Sequence, residues 1–187
     1  MDFTEKLSPT EAGGAAVSRS SGIDAHADAH GTYQVTCFDK DGNVKWQDTA
    51  ENLVTTVGKN TALDAYLAGS AYTAAWYMGL ISLTSYTTGP AAGDTMASHG
   101  GWAEDQNYSQ ATRPAPSFSA ASAGSKATSA AVVFSINGTT TIKGCFLNSV
   151  STKGGTTGNL YSAGLFTGGD KAVASGDSLN VTYTASL

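Results

Sequence analysis

"GTYQVTCFDKDGNVKWQD", residues 31–48, carries the reading of the fold. Tyr33, Val35 and Cys37 alternate with Thr32, Gln34 and Thr36, the period of two expected of a strand with one buried face. "DKDGN" (39–43) then supplies a tight reversal, because Asp and Asn bond their own backbone in turns and Gly accepts positive φ. "VKWQD" (44–48) follows as the partner strand of a hairpin. The same acids resemble the opening of a calcium loop, but that loop needs Gly at its sixth position and Glu at its twelfth. Here Gly42 is fourth and Ala50 twelfth, so a turn is expected.

The β pattern recurs downstream. "AVVFSIN" (131–137) and "TIKGCFLNSV" (141–150) flank an Asn-Gly turn, and residues 159–187 read as two more strands split by Gly-Asp turns. In the last of them Leu179, Val181 and Tyr183 alternate with Asn180, Thr182 and Thr184. "AAWYMGLISL" (74–83) is apolar on both faces, as a central strand covered on both sides would be. "RPAPSF" (113–118) fits an extended edge, since its prolines forbid helix. One helix is expected near Lys59 to Ala68. Asn60 or Thr61 would cap it, Leu63, Tyr66 and Leu67 would form its apolar face, and Gly69 would end it. Residues 84–112 read as long loops.

The expected fold is therefore mainly β: a β-sandwich or jelly-roll-like domain over residues 31–187 with one short helix. Residues 1–30 read as an extended N-terminal arm. They have few large apolar residues and no sustained period, so they need to be pinned along their own domain or against a neighbour.

Composition narrows the function. Only 13% of residues are charged, about half the usual share, and charge-poor surfaces suit protein interfaces. A net charge of −5 disfavours nucleic acid, which would repel the chain. "MDFTEKLSPTEAGG" (1–14) has acids where a secretory signal needs basic and then apolar residues, so no signal is expected. No apolar run approaches a membrane span. Cys37 and Cys145 are expected as buried thiols in a reducing compartment, with a disulfide between them as the alternative.

Candidate chemistry concentrates in "DTMASHGGWAED" (94–105). A catalytic reading makes His99 the base and Asp94 its orienting group. A structural reading lets Gly100–Gly101 reverse the chain while Met96 and Trp102 anchor the loop; the anchor is the expectation. Glycosidic chemistry needs two carboxylates about 5 to 9.5 Å apart in an aromatic-lined cleft, and Glu104 and Asp105, adjacent beside Trp102, stay open as such a pair. In "DAHADAH" (24–30), His26 and His30 have helical zinc spacing beside Asp24 and Asp28, but the segment offers no rigid third ligand. No G-x-S-x-G elbow, P-loop or dinucleotide fingerprint occurs. Ser162 is read as lying on a strand without the turn that exposes a nucleophile. No catalytic residue, metal or cofactor is expected. Trp46, Trp76 and Trp102 are read as packing groups, with a sugar-binding surface as the alternative.

"GNVKWQDTAENLVTTVGKNTALDAYLAGSAYTAAWYMGLIS" (42–82), "DTMASHGGWAED", "YSQATRP" (108–114) and "LYSAGLFTGGDKAVASGDSLNVTYT" (160–184) together resemble small virion structural proteins of tailed bacteriophages. The resemblance covers roughly residues 42–113 and 131–187. It implies a non-enzymatic capsid decoration (cement) protein on the virion surface, assembled in the host cytoplasm. Such a protein would form a homo-oligomer, bridge copies of the major capsid protein and stabilise the head without nucleic acid or membrane. The expected partner contacts are Phe3, Leu7, Val17, Arg19 and Ile23 of the arm, with Met96, His99 and Trp102 of the loop. The alternatives are a tail- or fibre-associated protein binding host glycans through surface aromatics, and a hydrolase using the His99 loop.

Overall fold

A computed structural model describes residues 29–67 and 75–187. The elements run β1 (His30–Phe38), β2 (Val44–Val54), α1 (Thr56–Leu67), β3 (Tyr77–Ser82), β4 (Ala103–Asp105), β5 (Ser125–Ala127), β6 (Val132–Ser135), β7 (Thr140–Asn148), β8 (Leu160–Phe166), β9 (Lys171–Val173) and β10 (Ser178–Ser186). The strands form one antiparallel sheet in the order β4-β3-β7-β8-β2-β1-β10-β5, with β6 also on β10 and β9 also on β7. Beyond β4 the chain meets the end of β6. The Ser109 amide donates to the Ser135 carbonyl at 2.8 Å, and the Asn137 amide to that of Asn107 at 3.1 Å. These bonds link the β4 end of the sheet to β6, which rides on β10 at the other end. The fold is mainly β and sandwich-like, as the alternating residues require.

The opening hairpin forms as expected. Asp39 Oδ1 accepts the amides of Asp41 at 2.9 Å and Asn43 at 2.8 Å, and Gly42 takes φ +84°. Bonds from Asn43, with the Asp41 amide, hold the Asp39 carboxyl below its usual range. Strand β2 continues well past Asp48, to Val54. Along β1, Tyr33, Val35 and Cys37 pair with Tyr183, Val181 and Leu179 of β10, and all six are buried. The Tyr33 and Tyr183 rings lie 4.6 Å apart, the close cross-strand contact that fixes register. Both cysteines are free and buried. Burial, followed by the negative Asp177, pushes the Cys37 thiol up to about 11.

Two apolar layers explain the two-sided strand. Met78 and Leu80 of β3 and Cys145 and Leu147 of β7 face the main core. Ile81 and Phe146 face the opposite way, into a second cluster with Met96, Trp102, Leu160 and Ala163. Glycines inside these strands permit the close approach. A Cβ on Gly79 would lie 2.2 Å from the Phe146 ring, and one on Gly144 would lie 1.9 Å from the Gly164 carbonyl.

The helix departs from expectation. It starts at Thr56, and its cap is Thr55 rather than Asn60 or Thr61. Thr55 Oγ1 accepts the Gly58 amide at 3.0 Å and donates to the Leu160 carbonyl, so one hydroxyl caps the helix and ties it to β8. Gly58 sits against Tyr161, whose carbonyl a Cβ would meet at 2.3 Å. The expected apolar face is not buried: Leu63 is 55% and Leu67 74% exposed. The Tyr66 side chain and Gly69 lie outside the described residues, as do residues 1–28 of the expected arm.

Candidate functional site

The loop between β3 and β4 lies over the outer face of β3, β7 and β8. Gly101 reverses the chain at φ +106°, and its carbonyl accepts the amides of Thr87 at 2.7 Å and Thr88 at 3.1 Å. A side chain there would strike Thr88 Cγ2 at 2.2 Å, so both the space and the backbone angle call for glycine. The reversal drives Trp102 inward, where it is 4% exposed and packs 5.5 Å from the Phe146 ring. Met96, 2% exposed, fills the same cluster.

The polar groups of "DTMASHGGWAED" hold this loop in place. Asp94 Oδ2 accepts the Trp102 indole N–H at 2.9 Å and the Ala91 amide at 3.0 Å. His99 Nδ1 lies 3.2 Å from the Thr95 carbonyl, so the proton of that bond sits on Nδ1. The imidazole packs on Trp102 at a tilt of 43°, with 4.3 Å between centroids. The bonds of Asp94 and His99 run to different partners, and no base–acid dyad forms.

Glu104 and Asp105 point to opposite faces of β4. Glu104 is gripped by Arg113: Nε donates to Oε1 at 3.0 Å and Nη2 to Oε2 at 2.7 Å, with side chains 0% (Arg113) and 3% (Glu104) exposed. The same carboxylate accepts the Tyr108 hydroxyl at 3.1 Å and the Gly154 amide at 2.6 Å. Arg113 also donates to the carbonyls of Val150 at 2.9 Å and Gly155 at 2.8 Å, and its guanidinium lies 5.2 Å from the centre of the Phe146 ring. Burial, with the negative Glu104 second, pushes the Tyr108 phenol well above its ordinary range. Asp105 Oδ2 accepts the hydroxyls of Ser82 at 3.0 Å and Thr140 at 2.6 Å, while Oδ1 accepts the Asn107 amide at 2.9 Å. The two acids stitch β3, β4, β7 and the 150–155 turn together. Glu104 and Asp105, weighed from the sequence as a glycosidic alternative, act here as structural braces.

Among the described residues, a polar hollow of about 390 Å³ lies over residues 34–36 and 47–49, and two further concave features lie nearer the loop and the helix. A shallow cavity of about 210 Å³ lies beside His99, lined also by Met96, Glu104, Gln106 and residues 154–156, with Glu104 held by Arg113. A larger, mostly apolar groove runs between α1 and the hairpin carrying β5. Trp76, Phe118, Tyr161 and Tyr183 line one part, about 360 Å³. Trp76 packs against Tyr161 at 5.2 Å. Ser162, on β8, bonds the buried Tyr33 hydroxyl at 2.8 Å and is not presented as a nucleophile.

Phe3, Leu7, Val17, Arg19 and Ile23 lie outside the described residues, as do Asp24, His26 and Asp28. His30 opens β1, which separates it from any helical pairing with His26. Met96 and Trp102, expected as partner contacts, anchor instead to this chain's own sheet, because its second face needs a cover. His99 is half-buried above them. Arg113 was not legible as a site. Its signal was compositional: it is one of only two arginines in the sequence. Among the described residues no group of three or more His, Cys, Asp or Glu is placed to hold a metal, and no helix is long and apolar enough to cross a membrane. No protein-family model matches the chain, and no curated protein matches it.

Proposed function

We propose that the chain is a non-enzymatic structural protein of a tailed-phage virion, a decoration or cement protein that binds major capsid subunits and copies of itself. The observation that carries this reading is the fate of the 94–105 loop. Each acid of the loop, His99 Nδ1 and the indole N–H is bonded in a way that fastens the loop, which supports a structural role for it. The sequence resemblance supplies the virion assignment. The exposed Leu63 and Leu67 on α1 add an apolar ridge fit for protein contact. The contact set is then the arm residues Phe3, Leu7, Val17, Arg19 and Ile23 with this ridge, and only the exposed edge of His99 from the loop. Repeated weak contacts on a symmetric shell sum by multivalency.

The glycan-binding alternative draws less support, because Trp102 is buried and Trp76 packs in the groove. Co-sedimentation of the purified full chain with mature heads of the encoding phage tests the reading. Saturable binding to heads is expected, competed by unlabelled protein. A chain that stays in the supernatant at every concentration contradicts it.

A further inference from the structure

We propose that the apolar groove between α1 and the β5 hairpin is the seat of the chain's own N-terminal segment, with Ile23 as the side chain that fills it. The proposal goes beyond the virion reading and stands or falls separately from it.

Four observations converge. First, the groove has two adjoining parts of about 360 and 320 Å³ that share Ala62, Lys126, Tyr161 and Ala185. Each is large enough for several side chains. Open apolar surface of this extent is unfavourable in water, so an occupant gains by covering it. Second, Ala29, the first described residue, lines the second part, so the preceding segment is covalently joined at the groove. Third, among the described residues Lys59 and Lys126 line that part and no Asp or Glu does, whereas the segment "SGIDAHAD" (21–28) that precedes Ala29 carries Asp24 and Asp28. Fourth, Ile23 is the large apolar residue nearest Ala29 in that segment, and the intervening chain reaches about 20 Å when extended.

The tether decides between a chain's own segment and that of a second copy. A short covalent connection holds its end at an effective concentration on the order of millimolar. A free copy must exceed that to compete. A filled seat takes Ile23 out of the partner contact set given above and leaves Phe3, Leu7, Val17 and Arg19 for a partner.

The test is disulfide trapping in the full chain carrying Ile23→Cys with Ala62→Cys, oxidised at low protein concentration. Ala62 is exposed on α1, and the native thiols of Cys37 and Cys145 are buried and do not compete. Ile23→Cys with Val44→Cys is the control, because Val44 is exposed at the far end of the β1–β2 hairpin. The expected result is a link within one chain for the first pair, formed at least tenfold faster than for the control. A link between two chains overturns the proposal in favour of a second copy, and equal rates or no link overturn it outright. As an independent reading, Ile23→Asp in the full chain is expected to raise binding of an apolar fluorescent dye several-fold with the melting temperature nearly unchanged. Unaltered dye binding contradicts the seat.

Discussion

Replacing Arg113 with methionine tests how the 94–105 loop and its surroundings are held. The guanidinium is buried and makes two bonds to the Glu104 carboxylate and two to backbone carbonyls. Methionine keeps much of the apolar stem against Phe146 but leaves Glu104, 3% exposed, with only the neutral Tyr108 hydroxyl and Gly154 amide as donors. A buried charge stripped of its partner costs about 3–5 kcal/mol. For a domain of this size that corresponds to a fall of roughly 6–20 °C in melting temperature. Urea unfolding followed by tryptophan fluorescence reads the loss as a lower midpoint at unchanged slope. Arg113→Met combined with Glu104→Gln removes the orphaned charge while retaining an acceptor for Tyr108 and Gly154. The double variant is expected to be more stable than Arg113→Met alone, so the two losses are strongly non-additive. A loss below about 1 kcal/mol for Arg113→Met, or a double variant as unstable as the sum of the singles, refutes the brace.

Three further outcomes follow from the packing and the charges. Gly144→Ala drives a Cβ into the Gly164 carbonyl and is expected to abolish soluble folding, whereas Gly100→Ala, with nothing within 4 Å of the added carbon, leaves the melting temperature nearly unchanged; similar behaviour of the two contradicts the register. Trp102→Ala is expected to lose about 3–5 kcal/mol by emptying the second core, and His99→Ala only about 1 kcal/mol as a lost ring contact; chemical denaturation of both variants measures the contrast, and equal losses contradict the anchor. Burial raises the Asp48 carboxyl, but bonds from Lys171, Thr49, Gly168 and Thr167 together outweigh it and hold it below its usual range. A depressed folded value means stability present above the unfolded pKa, about 3.9, and lost as pH falls through the folded one. Asp48→Asn is therefore expected to melt below the native chain at pH 7, with the gap closing below about pH 4; a gap that is constant from pH 7 to 3 contradicts the assignment.

The strands with one wet face were legible because their side chains alternate: Tyr33, Val35 and Cys37 against their neighbours, and Leu179, Val181 and Tyr183 against theirs. The hairpin turn was legible because Asp39 and Gly42 do local chemistry that needs no distant partner. The start of the helix was hidden. Gly58 reads as a breaker, yet its missing side chain is what lets α1 lie against the Tyr161 carbonyl, a contact with a residue remote in the chain. Tertiary packing overrides propensity there. The second core was legible on one side only. "AAWYMGLISL" announced a strand covered on both faces, and Trp102 announced an anchor, but nothing local says that each covers the other. Likewise "WAED" showed two acids without showing that Arg113 and the Ser82–Thr140 hydroxyls, brought in by other strands, complete their bonding.

The central claim, that this chain is a building element of a phage head, is tested most directly by quantitative mass spectrometry of purified virions. The account predicts that the protein is recovered with intact particles and with isolated heads, in amounts commensurate with the major capsid protein. Absence from washed particles, or recovery only in the few copies of a tail component, contradicts it.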